Sequence, residues 1–413
     1  MTSDAQRIRR LCLSGTASEA CAALQSEGLE LDQVLASLAA PQPPVEPGTR
    51  SIELVAPNGD RSEMTIFVPP LPPSGRLGAL IFLHGSGSSG ADVAKMATTW
   101  GTLSGCAVLC PTAVTSVTNT SNFELAGLFG SRVRHARWHY GQQDLPMTAL
   151  RWALQNLDVD PDRCAIAGHS MGAIAAWNIA ARHWESFAAL LSINGALSVW
   201  ERFGPDMAAA QLQANLLPVA IRSLNGTLDQ KVPPELAAST IERLRTAGHF
   251  AARQILVEYG DHPMQTMNLM PGSTHYDALG LWLGKQRRVA WPTLVRHCTV
   301  DATHGRAHWI EVSKRREPRG AGVVVAQVVA PDAIEIQARG VARLTLNLSR
   351  KLVRPGALLV SVNGVARHVE FEPTLASVVL SYRSTLDAGL IFEQAVSLEI
   401  TEDCIQPLIG ANA

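Results

Sequence analysis

The stretch CAIAGHSMGAIAAWNIAAR, from Cys164 to Arg182, restricts the fold of this chain more than any other. Four apolar residues run into Gly168-His169-Ser170-Met171-Gly172, and an Ala-rich segment follows with no loop between them. A strand that turns straight into a helix leaves no room for side chains beside the turn, and glycines stand at those positions. Such a turn lifts the Ser170 hydroxyl clear of the sheet. It requires strands that end together at one edge, with helices packed on the faces.

The surrounding sequence supplies that frame. The apolar runs ALIFL, AVLCP, AALLSI, PVAIRSL and QILVEY alternate with helical segments such as DLPMTALRWALQNL and TIERLRTAG. Continuous apolar strands between helices predict an α/β class with a doubly wound, mostly parallel sheet covered on both faces. The hairpin SIELVAP-NGD-EMTIFVPP opens this region, which is assigned to residues 50–289. Before it, Leu29, Leu31, Val34, Leu35 and Leu38 recur at helical spacing, so residues 1–40 read as short helices, and the prolines of 41–49 form a linker. Beyond WPT at 291 the helical pattern stops. HWIEVS, GVVVAQVVA, AIEIQA, RLTLNLS, ALLVSVNG, SVVLSY and AVSLEIT read as short strands, predicting an antiparallel β-sandwich-like domain over 290–413.

In FLHGSGSSG, Gly85, Gly87 and Gly90 have the G-x-G-x-x-G spacing of a dinucleotide loop. That reading fails because the next strand, AVLCPTA, ends without the acidic residue that would hold a ribose, and no Lys-Ser/Thr pair follows. Ser170 instead asks for a base and an orienting carboxylate, which in this strand-turn-helix setting follow in the order Ser, acid, His. Asp229 lies on the loop after PVAIRSLNG, and His262 lies in GDHPM after QILVEY. His275, in GSTHYDALGLW, is the alternative base; Ser273 or Thr274 as N-cap would place it in the first turn of a helix. Asp261 adjoins His262 too closely to orient it.

With these pieces in place, residues from about 75 to 288 resemble the α/β-hydrolase superfamily of serine hydrolases. Within it they are similar to the carboxylesterase, phospholipase and acyl-protein thioesterase group and to the polyester-depolymerase and feruloyl-esterase-like families. FLHGSGSSG, VDPDRCAIAGHSMGA, FAALLSINGAL, NGTLDQKVP and DALGLWLGKQRR carry the resemblance. It implies a Ser170-Asp229-His262 triad, an oxyanion hole formed by the backbone N–H groups of Ser86 and Met171, and an acyl-enzyme route for a small-molecule or polymeric ester or thioester. Ala173 stands where these families often have a second glycine. The long connection after AVLCP puts Trp138, His139 and Tyr140 forward as pocket residues, and the resemblance implies the same of its W-x-Y-G-x-x-D element. His169 is expected beside Ser170, shaping the pocket, and His84 is expected to brace the oxyanion loop. A serine peptidase of the prolyl-oligopeptidase kind, and an inert hydrolase-fold scaffold with a binding β-domain, remain open as alternatives.

The chemistry requires no metal or organic cofactor. His304 and His308 have H-x-x-x-H spacing but no intervening Glu, which argues against zinc. A net charge of −1 over 413 residues offers no footprint for nucleic acid. No apolar run approaches the roughly 20 residues of a membrane span. Seven scattered cysteines, and basic residues at the start with no apolar stretch after them, suit a cytoplasmic protein. Self-association into a homo-oligomer is compatible with all of this.

Overall fold

In the computed structural model, which describes residues 2–72, 75–114, 138, 140, 144–401 and 403, an eight-stranded sheet carries the candidate site. Its strands are β1 (Gly48–Val55), β2 (Arg61–Val68), β3 (Leu77–Leu83), β4 (Cys106–Pro111), β5 (Val159–His169), β6 (Ala189–Ile193), β7 (Ala220–Gly226) and β8 (Arg253–Val257), in the order β1-β2-β4-β3-β5-β6-β7-β8. The β1–β2 hairpin is antiparallel and joins β4 in antiparallel register. All pairs from β4 to β8 are parallel.

Three helices precede the sheet, α1 (Thr2–Leu13), α2 (Ala17–Ser26) and α3 (Leu31–Ala39). Within the sheet region lie α4 (Gly90–Ser104), α5 (Leu145–Asn156), α6 (Met171–Arg182), α7 (Met207–Leu212), α8 (Pro234–Thr246) and α9 (Thr274–Lys285). Every residue of β3 is buried, and its side chains divide by alternation. Leu80 and Phe82 pack with Trp100 of α4 and with Tyr276 and Leu279 of α9. Ile81 and Leu83 pack on the other face with Ala149 of α5 and Trp177 of α6. Burial on both faces is why these strands read as unbroken apolar runs.

The C-terminal region forms two sheets. One has the order β10-β11-β14-β17 and the other β16-β15-β13-β12-β9, from β9 (Leu294–Thr299), β10 (Arg306–Ala307), β11 (Ile310–Arg315), β12 (Gly322–Ala330), β13 (Ala333–Arg339), β14 (Val341–Leu348), β15 (Gly356–Val362), β16 (Val365–Phe371) and β17 (Gln394–Glu399). Besides the added strands β9, β10 and β16, two features depart from the sequence reading. The pair β13–β15 is parallel. SVVLSY is not a strand but the middle of α10 (Leu375–Thr385), capped by the Thr374 hydroxyl. A short apolar run cannot separate the two by periodicity alone. Here Val378, Val379 and Tyr382, at helical spacing, are buried against Ile8, Cys12, Leu24 and Leu38 of α1–α3, so tertiary packing decided it.

The apolar core runs without a break from the main sheet into the two C-terminal ones, with Trp184 and Phe187 in the same cluster as Val295 and Trp309. Polar contacts pin the junction. Asn215 exchanges two hydrogen bonds with the backbone of Cys298, both 2.8 Å, and buried Arg288 holds the Glu185 carbonyl, Asp162 and Asp387. Among the described residues, no helix is long and apolar enough to cross a membrane.

Candidate active site

Ser170 sits between β5 and α6 with φ 53° and ψ −118°, a left-handed backbone held by its surroundings. The flanking glycines are required by contact. A Cβ on Gly168 would lie 2.3 Å from the Gly172 backbone, and one on Gly172 would lie 2.1 Å from the Leu83 carbonyl oxygen. The Ser170 N–H donates to the Ile193 carbonyl at the end of β6 (3.0 Å), which fixes the turn against the neighbouring strand.

The hydroxyl so presented meets an imidazole. Ser170 Oγ is 2.7 Å from His262 Nε2, and His262 Nδ1 is 2.9 and 3.0 Å from the two carboxylate oxygens of Asp229. Asp229 is buried after β7, and its Oδ1 also accepts the N–H groups of Lys231 (2.9 Å) and Val232 (3.0 Å). With Nδ1–H donating to the carboxylate, Nε2 is left free to accept from Ser170. Asp261 accepts the backbone N–H of His262, and it is Asp229 whose carboxylate meets the ring. His275 is exposed in the first turn of α9, where Ser273 is the N-cap, so of the two candidate histidines it is His262 that reaches Ser170.

The loop after β3 comes up beside this turn. The ring of His84 is buried and committed on both sides: Nδ1–H donates to the Gly85 carbonyl (2.7 Å) and Nε2 accepts the Ala113 N–H (2.9 Å). Burial lowers its pKa, in keeping with a neutral ring that braces the loop. A side chain at Gly85 would meet the ring of His169 and the Cβ of Ser170. Ser86 and Met171 face each other across the gap, with Ser86 Oγ 3.5 Å from Met171 Sδ. Met171 is the first residue of α6, where backbone N–H groups lack an intrahelical acceptor and the helix dipole favours negative charge.

The pocket expectations need correction. Trp138 is buried, its Nε1–H donating to the His84 carbonyl (3.0 Å) and its ring edge-on to the imidazole, so it underpins the loop. Tyr140 lies at the far end of α6. Its ring carries the Arg182 guanidinium and its carbonyl accepts from His183 and His304. That end is roughly 18 Å from Ser170 at the rise of a 12-residue helix. A W-x-Y spacing gives no direction to the rings, and here both turn into the body. His139 lies outside the described residues. His308 donates to the Ala290 carbonyl, so neither His304 nor His308 points its ring at the other.

Two further residues complete the arrangement. His169 Nε2 donates to the His262 carbonyl (2.9 Å), and burial holds its pKa down to about 4, so the ring is neutral. Asn194, fully buried after β6, carries only one signal in the sequence, an Asn-Gly pair closing an apolar strand. It donates to the carbonyls of Asp261 and His262, both 2.9 Å, and accepts the Gly226 N–H, also 2.9 Å.

The Esterase family model matches residues 58–278. No curated protein matches the chain in sequence. Among solved structures, a thermostable esterase is similar at 19% identity over 58% of this chain and 63% of that one, under two thirds of its length, with a TM-score of 0.42. An S-formylglutathione hydrolase from Agrobacterium tumefaciens is similar at 17% identity over 60% of this chain and 99% of that one, TM-score 0.44. FphF, a fluorophosphonate-binding serine hydrolase from Staphylococcus aureus, is similar at 14% identity over 58% and 100%, TM-score 0.44.

Proposed function

From the premise that the chain belongs to the Esterase family, we propose that it is a carboxylic ester hydrolase working through an acyl-enzyme on Ser170. His262 Nε2 takes the Ser170 proton as Oγ attacks the carbonyl carbon of an ester or thioester. The carbonyl π electrons move to oxygen, and the N–H groups of Ser86 and Met171 receive that negative charge; each such donor is typically worth about 3 kcal/mol in the barrier. As the tetrahedral intermediate collapses, the His262 imidazolium gives its proton to the departing alkoxide or thiolate. Water then enters, loses a proton to His262 and attacks the acyl carbon, and the returning proton restores Ser170 as the acid leaves. Asp229 keeps the imidazole in the tautomer that accepts from serine and stabilises the imidazolium.

The observation that carries the reading is the unbroken hydrogen-bond chain from Ser170 Oγ through His262 to Asp229. Supporting it are the left-handed Ser170 backbone and the oxyanion loop packed against the turn. The substrate is a small-molecule or polymeric ester.

The test is fluorophosphonate labelling of the wild type, Ser170→Ala, His262→Ala and His275→Ala, with turnover of p-nitrophenyl esters of increasing acyl length and of a peptide amide. Labelling and ester turnover are expected in the wild type and His275→Ala, and are lost in the other two. Loss with His275→Ala but not His262→Ala would move the base, and a folded wild type that takes no label would refute the serine route. Turnover of the amide in preference to the esters would favour a peptidase.

A further inference from the structure

The base of the proposed triad lies on an irregular loop. After β8 the chain passes through Tyr259, at φ 59°, and then Gly260, Asp261 and His262 before the short helical turn at Met264–Thr266. Nothing in the regular hydrogen bonding of the sheet fixes the His262 backbone. Its carbonyl is held from the ends of β5 and β6, with Asn194 tying that contact to β7, while within the loop Asp261 accepts the His262 N–H and the Leu228 N–H donates to the Gly260 carbonyl. His169, the last residue of β5, donates Nε2–H to the His262 carbonyl at 2.9 Å. Asn194, just past β6, donates both of its amide hydrogens, one to the His262 carbonyl and one to the Asp261 carbonyl, at 2.9 Å each. Its side-chain oxygen accepts the N–H of Gly226, the last residue of β7, at 2.9 Å, three positions before Asp229.

We propose that Asn194 and His169 are positioning residues for His262, locking the base loop to the strand ends that also set Ser170 and Asp229. The inference rests on the triad reading above. Both lone-pair directions of the His262 carbonyl are taken up, and the side chain of Asn194 spans the acid and base segments. Asn194 is fully buried at φ 49°, a left-handed backbone that Asn and Gly tolerate and most other residues do not. The identity of the residue is therefore constrained twice, once by its backbone and once by its two donors and one acceptor. His169 has to donate from Nε2, since a carbonyl only accepts, and burial keeps the ring neutral.

Asn194→Gly is the clearest perturbation, because glycine keeps the left-handed backbone and removes the whole amide. A displacement of the base of around 1 Å is expected to lower kcat by about 100-fold, with KM for a p-nitrophenyl ester little changed. Asn194→Asp keeps the acceptor for Gly226 but sets a carboxylate against two carbonyls, and should lose as much. His169→Leu removes one donor and should lose about tenfold, while His169→Gln, which can present an amide N–H at similar reach, should recover most of that.

Alongside kinetics, the far-downfield proton NMR resonance of an imidazole Nδ1–H bonded to a carboxylate reads the His262–Asp229 contact directly. It should be broadened or lost in Asn194→Gly and retained in His169→Gln. Wild-type kcat and an intact resonance in both Asn194→Gly and His169→Leu would overturn the proposal. So would an equal loss in His169→Gln and His169→Leu. If Asn194→Gly does not fold, the His169 pair decides the matter. Failure of the triad reading is distinguishable: a wild type that takes no fluorophosphonate but loses the downfield resonance in Asn194→Gly leaves the clamp standing and removes the chemistry from Ser170.

Discussion

Gly172→Ala tests whether the spacing between the serine turn and the oxyanion loop is set by direct backbone packing. The added methyl group would lie 2.1 Å from the Leu83 carbonyl oxygen, 2.5 Å from its carbon and 2.7 Å from the His84 carbonyl oxygen. All three are backbone atoms at the end of β3, so no side chain can swing aside, and ordinary contact requires α6 and that strand end to part by about 1 Å. Overpacking of this kind costs about 1–3 kcal/mol, and the upper end applies because backbone meets backbone. Ser86 moves with β3 and Met171 with α6, so the same displacement opens the gap between the two proposed oxyanion donors. A misplacement of that size typically lowers a rate by about 100-fold. Initial rates on a p-nitrophenyl ester, thermal melting and fluorophosphonate labelling would be compared with wild type; kcat is expected to fall, KM to stay, and the melting temperature to drop. Unchanged kcat and melting temperature would refute the packing argument. A lowered melting temperature with unchanged kcat would show that the turn and the loop move as one body, which would also refute the coupling drawn here.

Three further outcomes are expected. Asp229→Asn should melt near wild type, because its remaining oxygen can still accept from Lys231 and Val232, while kcat falls by up to about 10⁴-fold through the wrong imidazole tautomer; a loss under tenfold would remove the carboxylate from the mechanism. Trp138→Phe deletes the indole donor to the His84 carbonyl and should cost about 1 kcal/mol in a melting or denaturant experiment, together with a modest loss of kcat; a variant as stable and active as wild type would show that the loop stands without it. Acid should unfold the protein early. Burial, first of all causes, lowers His183 and His308 to about 3 and His297 and His304 to about 4, while the unfolded chain takes up those protons near pH 6.5, so stability is fully present above pH 6.5 and is lost as pH falls toward the folded values. Each histidine removes up to about 1.4 kcal/mol per pH unit; buried Glu185, raised to about 7 by desolvation, works against one of them between its unfolded and folded values. Melting temperatures across pH 7.5 to 4.5 measure this, and a flat profile would show that these rings are open to water.

The sequence by itself determined whatever is encoded within a short stretch of chain. Gly168-His169-Ser170-Met171-Gly172 between an apolar strand and an Ala-rich helix specifies its own turn, because the steric demand for glycine acts over a few residues. The alternating apolar strands specified a sheet covered on both faces, and chain order located Asp229 on the loop after β7. The choice between His262 and His275 lay beyond it, since both follow β8 and only the fold brings one imidazole to Ser170 while leaving the other exposed on α9. Trp138 and Tyr140 turned inward because His84 and Arg182 offered partners there, which spacing cannot reveal. SVVLSY became helix because α1–α3, some 340 residues earlier in the chain, supply the surface that buries Val378, Val379 and Tyr382. Asn194 illustrates the division most fully. Its three partners lie 32, 67 and 68 residues on, and they meet only where parallel strands end side by side. Local sterics can be read from neighbours in sequence, whereas a polar clamp depends on which strands become neighbours in space.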